Sequence, residues 1–322
     1  MELSWIRPVD WDGKPRELSV RTSCHGGDVR EAPLEHPEGQ LARSRNVILL
    51  VHGFNVSLCS AGNSYEAFLQ EMPFRWKARS IWVYWPGDGL SEAGGLWSRA
   101  RSAASYPFQS DRAEKAGRML AGHVSTAALR RLKAGRPPMC LSVVAHSLGC
   151  RVALELVSHI QNLVAERLIR LQLVVLMAAA VPKYLLLSGQ RYDIARLGAH
   201  RTLVYFSDED DVLKYVFRAG QFASATNPLN LLFGRGALGR EGLGSLRSDN
   251  VHDKRTYHGH GGYWPDREIA WQVTAELDGV RAVRSRRMVV PRRLDGHRET
   301  SGRSVRPRRL APPNGIRDGC CR

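Results

Sequence analysis

The chain has 322 residues, 43% of them hydrophobic, and a formal net charge of +16. It can bury a full core, as one large α/β domain or two smaller ones, but no apolar run approaches the roughly 20 residues that span a bilayer, which excludes a transmembrane segment. Cys24, Cys59, Cys140, Cys150, Cys320 and Cys321 show neither metal-ligand spacing nor a disulfide framework, and Met1 to Pro8 lacks the basic onset and apolar stretch of a secretory signal, so a soluble cytoplasmic protein is expected.

Residues 1–45 are polar and rich in turns, with one alternating stretch, Leu18-Ser19-Val20-Arg21-Thr22, that suits an edge strand. Strands and helices then alternate. Val47 to Val51 is a compact run of leucine and β-branched residues, Ser64 to Met72 has helical spacing, and Ser80 to Trp85 reads as a strand ended by Pro86-Gly87. Asp111 to Lys133 places Ala113, Ala116, Met119, Leu120, His123, Ala127 and Leu129 near helical spacing. Leu141 to Val144 is a short buried strand, Cys150 to Val157 an apolar-periodic helix, and Leu171 to Met177 and Thr202 to Phe206 are two more strands. This alternation predicts an α/β fold with a mostly parallel sheet covered by helices on both faces, over residues 46–280. Within it, Gly220 to Asn250 is rich in glycine and small residues and reads as a lid or flexible excursion over the sheet edge. Trp76, Trp82, Trp85 and Trp97 suit the core, with an apolar pocket lining as the alternative.

The final segment, 281–322, holds thirteen arginines, no lysine and three acids, so +10 of the net charge lies there. With few large apolar residues it is expected to be a disordered tail. Its clustered arginines suit weak attachment to an anionic membrane surface or nucleic acid, though no aromatic residue interleaves them for base stacking.

Chemistry enters at Ala145-His146-Ser147-Leu148-Gly149, between the strand ending at Val144 and the helix from Cys150. Small residues on either side of a serine permit a sharp turn that pushes the hydroxyl clear of the sheet, the arrangement a nucleophile requires. A helix-capping serine is the plainer alternative. Val51-His52-Gly53-Phe54-Asn55 follows the first strong strand. Acyl transfer needs backbone N–H groups aimed at the oxyanion of its tetrahedral intermediate, and the candidate donors are the amides of Phe54 and Leu148. His52 beside that loop suits a structural hydrogen bond better than a catalytic one.

Val51 to Ser57, Tyr84-Trp85-Pro86-Gly87 and His146 to Val152, in this order, resemble the α/β-hydrolase superfamily, specifically its bacterial esterase- and lipase-like members of unknown function. The resemblance covers about Val47 to Leu277. It implies a sheet of about eight strands, Ser147 as nucleophile, and an acid and then a histidine later in the chain. The strand ending at Met177 is followed by Ala178-Ala179-Ala180 and no carboxylate, whereas the next is followed by Ser207-Asp208-Glu209-Asp210-Asp211. Asp210 fits best, because in similar enzymes one residue separates the acid from apolar ones, here Val212 and Leu213; Asp208 and Asp211 remain open, as does plain capping of the helix that follows. Of His252, His258 and His260, we choose His260, because Gly259, Gly261 and Gly262 suit a loop returning an imidazole to the serine and Pro265-Asp266 opens a terminal helix. His258 stays open. The pair His258 and His260 has no further ligand cluster to make a metal site, and the expected reaction needs no cofactor.

The expected activity is therefore cleavage of a small-molecule or lipidic carboxylic ester through a Ser-His-Asp triad and an acyl-enzyme. A catalytically silent hydrolase fold that binds a partner through its basic tail, and an acyltransferase using the same triad, are the alternatives.

Overall fold

The computed structural model describes residues 16–19, 41–77, 79–87, 96–193, 197–219 and 236–287. Seven strands form one sheet: β1 (Arg16–Ser19), β2 (Asn46–Val51), β3 (Ser80–Tyr84), β4 (Met139–His146), β5 (Ile169–Met177), β6 (Arg201–Phe206) and β7 (Val251–Arg255). Their order is β1-β3-β2-β4-β5-β6-β7, and every pairing is parallel. β4 is buried along its whole length, which is why it reads as a continuous apolar run and not as an alternating one.

The helices are α1 (Leu58–Gln70), α2 (Phe74–Lys77), α3 (Leu96–Lys133), α4 (Gly149–His159), α5 (Gln161–Ala165), α6 (Leu238–Glu241) and α7 (Arg267–Arg287). Ser57 caps α1 by accepting the Ser60 N–H at 3.2 Å, which starts that helix ahead of the expected Ser64. α3 and α4 are joined by a partly buried ion network. Glu155 accepts from Arg118, Arg191 and Tyr192, each at 2.9 Å, while Glu114 pairs with Arg151 and Arg191, each at 2.8 Å. Burial pushes the Glu155 carboxyl up, but the Arg191 hydrogen bond and charge, with Tyr192 and Arg118, outweigh it and hold the group below its ordinary range. Arg131, near the end of α3, donates to the carbonyls of Pro137, Ala42 and Ser44 and fastens the chain ahead of β2.

The sheet shows seven strands among the described residues, in keeping with the expected mostly parallel sheet of about eight. Several expectations are corrected. β1 overlaps the expected edge strand only at Leu18-Ser19, and Val20 to Thr22 lie outside the described residues. α3 begins fifteen residues before Asp111, at Leu96. Residues 236–250 are not an excursion: Ala237, Leu238 and Leu243 are buried, and the Ser207 N–H donates to the Gly239 carbonyl at 3.0 Å. Residues 220–235 lie outside the described set. α7 continues to Arg287, so the first seven residues of the expected tail are helical; 288–322 lie outside the described residues. Trp76, Trp82 and Trp85 belong to the core, while the Trp97 side chain lies outside the description.

The strand order positions the site. β2 pairs with β3 on one side and β4 on the other, so the connections leaving the carboxyl ends of β2 and β4 diverge. A crevice opens at such a switch point, and Gly53 and Ser147 stand at it.

Candidate active site

Ser147 directly follows β4 with φ 53°, a left-handed conformation that costs an ordinary residue about 1–3 kcal/mol and persists only when its surroundings enforce it. They do so through the backbone. The Ser147 N–H donates to the Met177 carbonyl at 2.9 Å, and the Ser147 carbonyl accepts from Cys150 and Ala180, both at 3.1 Å. Close packing holds the turn from the other side: a Cβ on Gly149 would stand 2.2 Å from the His52 carbonyl oxygen, so only glycine lets α4 start there. α4 has no side-chain cap, so Ser147 is not a capping serine.

The hydroxyl faces His260 instead, with Ser147 Oγ 2.7 Å from His260 Nε2. His260 Nδ1 lies 2.7 Å from Asp210 Oδ2. Asp210 is fully buried, and its other oxygen, Oδ1, accepts the Leu213 N–H at 2.9 Å at the head of a π-helical turn, Val212–Phe217. One carboxylate therefore both caps that turn and orients the imidazole, two functions that the sequence left divided among neighbouring acids. Asp208 is instead at the surface, paired with Arg255, whose hydrogen bonds hold its carboxyl below the ordinary range. Asp211 is exposed at the start of the π-helical turn.

The remaining histidines are elsewhere. His258 pairs with Asp266, and His252 on β7 meets Arg201 and the Asp249 carbonyl. His52 donates from Nδ1 to its neighbouring Gly53 carbonyl at 2.9 Å, accepts the Trp85 N–H on Nε2 at 3.3 Å, and stacks on the Trp85 ring. Its own N–H donates to the Tyr65 hydroxyl, which donates in turn to the Val83 carbonyl. Both ring nitrogens are thus committed to holding the loop after β2.

That loop meets the serine closely, since a Cβ on Gly53 would lie 2.8 Å from the Ser147 Cβ. The Asn55 N–H is committed to Gly87, while among the described residues the N–H groups of Phe54 and Leu148 have no backbone acceptor in their loops. Among the described residues no group of three or more histidine, cysteine or acidic side chains is arranged to hold a metal ion.

One residue was not singled out from the sequence. His146, the last residue of β4, is buried and donates from Nε2 to the His260 carbonyl at 2.7 Å. Burial, then the nearby rings of His260 and His52, push its pKa down to about 3 against the bond that raises it. The available signal was a polar residue closing an otherwise apolar strand.

A parallel sheet with this strand order, a left-handed serine between strand and helix, and a histidine brought back from beyond the last strand define an α/β-hydrolase. Residues 38–224, more than half of the chain, match the family described as alpha/beta hydrolase of unknown function (DUF900), and the chain belongs to that family. Among solved structures it is similar to carboxyl esterase 2 (TmelEST2) from the mycorrhizal fungus Tuber melanosporum, at 13% identity and TM-score 0.33, over 73% of this chain and 77% of that one. It is also similar to a chain from a structural and mechanistic study of two prolyl endopeptidases, at 16% identity and TM-score 0.31, over 74% of this chain but 33% of that one. No curated protein matches the chain.

Proposed function

We propose that the chain is a serine hydrolase cleaving carboxylic esters, with Ser147 as nucleophile, His260 as general base and acid, and Asp210 as the group that orients and stabilises the imidazolium. The observation that carries this reading is the unbroken line from Ser147 Oγ through His260 to the buried Asp210 carboxylate, with both contacts at 2.7 Å. A hydroxyl is a weak nucleophile until a base within hydrogen-bond reach removes its proton. Here His260 Nε2 accepts that proton as Oγ attacks the acyl carbonyl, and Asp210 accepts from Nδ1–H, which fixes the tautomer. The amides of Phe54 and Leu148 receive the oxyanion. Collapse of the tetrahedral intermediate expels the alcohol, protonated by His260, and leaves Ser147 acylated; water activated by the same base then releases the acid.

The substrate class is a small-molecule or lipidic ester. No helix among the described residues is long and apolar enough to cross a membrane. A cytoplasmic setting agrees with Cys59, Cys140 and Cys150, none of which forms a disulfide. The test is a chain-length series of aryl esters on wild type and Ser147→Ala. Turnover that peaks at one acyl length and vanishes in the variant is expected; equal turnover by both proteins would remove Ser147 from the reaction.

A further inference from the structure

We propose that His146 is a positioning residue for the base: it grips the backbone of His260 while the adjacent Ser147 engages the ring of the same residue. This rests on the reading of His260 as the base. Two consecutive residues of the turn make the two contacts, His146 Nε2 to the His260 carbonyl and Ser147 Oγ to His260 Nε2, each at 2.7 Å.

The chemistry of the first contact fixes its sense. A carbonyl only accepts, so His146 carries its proton on Nε2, and burial keeps the ring from taking a second. A neutral donor suits this place, because a second cation would oppose the imidazolium that His260 becomes, only 5.1 Å away between ring centroids.

The loop that carries His260 needs such a hold. It contains Gly259, Gly261 and Gly262, and a side chain at Gly259 or Gly261 would meet nothing within 4 Å. Packing therefore does not fix the two glycines that flank His260. Besides the ring contacts of His260 with Ser147 and Asp210, the loop's polar restraints among the described residues include the His258–Asp266 pair, the Thr256 contact with the Tyr263 hydroxyl, the Gly262 N–H to the Gly259 carbonyl, and the grip of His146. Of these, the grip of His146 ties the backbone of the loop to the strand that bears the nucleophile. His146 also packs against Tyr263 and Trp264, and a Cβ on Gly53 would come within 3.1 Å of its Nδ1. One ring thus registers the base loop and the loop after β2 against the serine, a geometry in which an error of about 1 Å can cost about a hundredfold in rate.

The experiment compares the full-length wild type with His146→Leu, which keeps the bulk and removes the donor, and with His146→Gln, whose amide reaches the same carbonyl. Aryl-ester kcat and KM, labelling rate with a fluorophosphonate, and amide hydrogen exchange across 258–263 are measured on each. His146→Leu is expected to lower kcat about tenfold to a hundredfold, with little change in KM, slower labelling and faster exchange in the loop; His146→Gln restores most of each. If His146→Leu does not fold, His146→Asn, whose amide is too short to reach, takes its place with the same expectation. Unchanged kcat in the donor-less variant, or a folded glutamine variant as slow as it, overturns the proposal. If wild type neither hydrolyses esters nor is labelled, the ester-hydrolase reading fails instead. The exchange data then decide the grip alone: faster exchange reversed by glutamine supports it, and unchanged exchange overturns it.

Discussion

Two aspartate–histidine pairs stand two residues apart on one loop, His258 with Asp266 and His260 with Asp210. Each aspartate spends its second oxygen on a backbone N–H at the head of a helical segment, Leu213 at 2.9 Å for Asp210 and Ile269 at 2.8 Å for Asp266. What differs is the remaining imidazole nitrogen. In His260 it faces the Ser147 hydroxyl, whereas in His258 it sits by Gly262 of its own loop, where an added Cβ would come within 3.0 Å. Residue type and pairing do not make a triad; the partner of the third atom does. By this comparison the proposed chemistry is assigned to His260, while His258 fastens the loop to the head of α7.

The sharpest way to break the comparison is to remove each histidine. His260→Ala is expected to lower ester kcat by about 10⁴ to 10⁶, while His258→Ala stays within about tenfold; equal losses in steady-state turnover would make the two pairs equivalent. Exchanging the carboxylates sharpens it. Asp210→Asn leaves the shape but favours the wrong tautomer, with an expected loss of about 10⁴, whereas Asp266→Asn leaves turnover nearly intact. Asp266→Ala instead removes a helix cap, and urea unfolding is expected to show about 1 kcal/mol of destabilisation. Between these lies the loop after β2, which carries the Phe54 amide proposed for the oxyanion. Gly53→Ala forces a methyl group against Ser147 and should lower kcat about a hundredfold to a thousandfold, as loss of an oxyanion donor does.

The last effect concerns acid stability, and its sign follows from His146. Its native pKa of about 3 lies below the ordinary histidine value of 6.5, so between those limits the unfolded chain binds a proton that the native chain does not. Stability is then fully present above about pH 6.5 and falls as pH drops toward 3, by at most about 1.4 kcal/mol per unit from this group. Glu155, held low, loses its contribution only further into acid, through its lowered pKa. Urea titrations between pH 7 and 5 are expected to show a steeper decline for wild type than for His146→Gln; parallel curves would contradict the burial of a neutral imidazole.

The sequence carried the buried strand, the turn and the helix around Ser147 plainly, because small residues and a continuous apolar run leave few other conformations. It carried β7 poorly. Val251-His252-Asp253-Lys254-Arg255 has a single apolar residue, as an edge strand allows, and its pairing with β6 is a tertiary fact. α6 was hidden for a related reason: Gly236, Gly239 and Gly242 read as flexible, yet the segment packs against the sheet, with the Gly239 N–H donating to the Ala179 carbonyl at 3.0 Å. Spacing left Asp208, Asp210 and Asp211 open, and His258 and His260 with them, because neighbours in a loop differ by direction, which composition does not record. The hold of His146 on His260 spans 114 positions and has no local signature.

Mass spectrometry of the full-length chain after exposure to a fluorophosphonate tests the assignment of the nucleophile most directly. One adduct, mapped to Ser147, lost in Ser147→Ala and strongly slowed in His260→Ala, is the expected result. An unmodified wild-type protein, or an adduct on another residue that survives in Ser147→Ala, would contradict it.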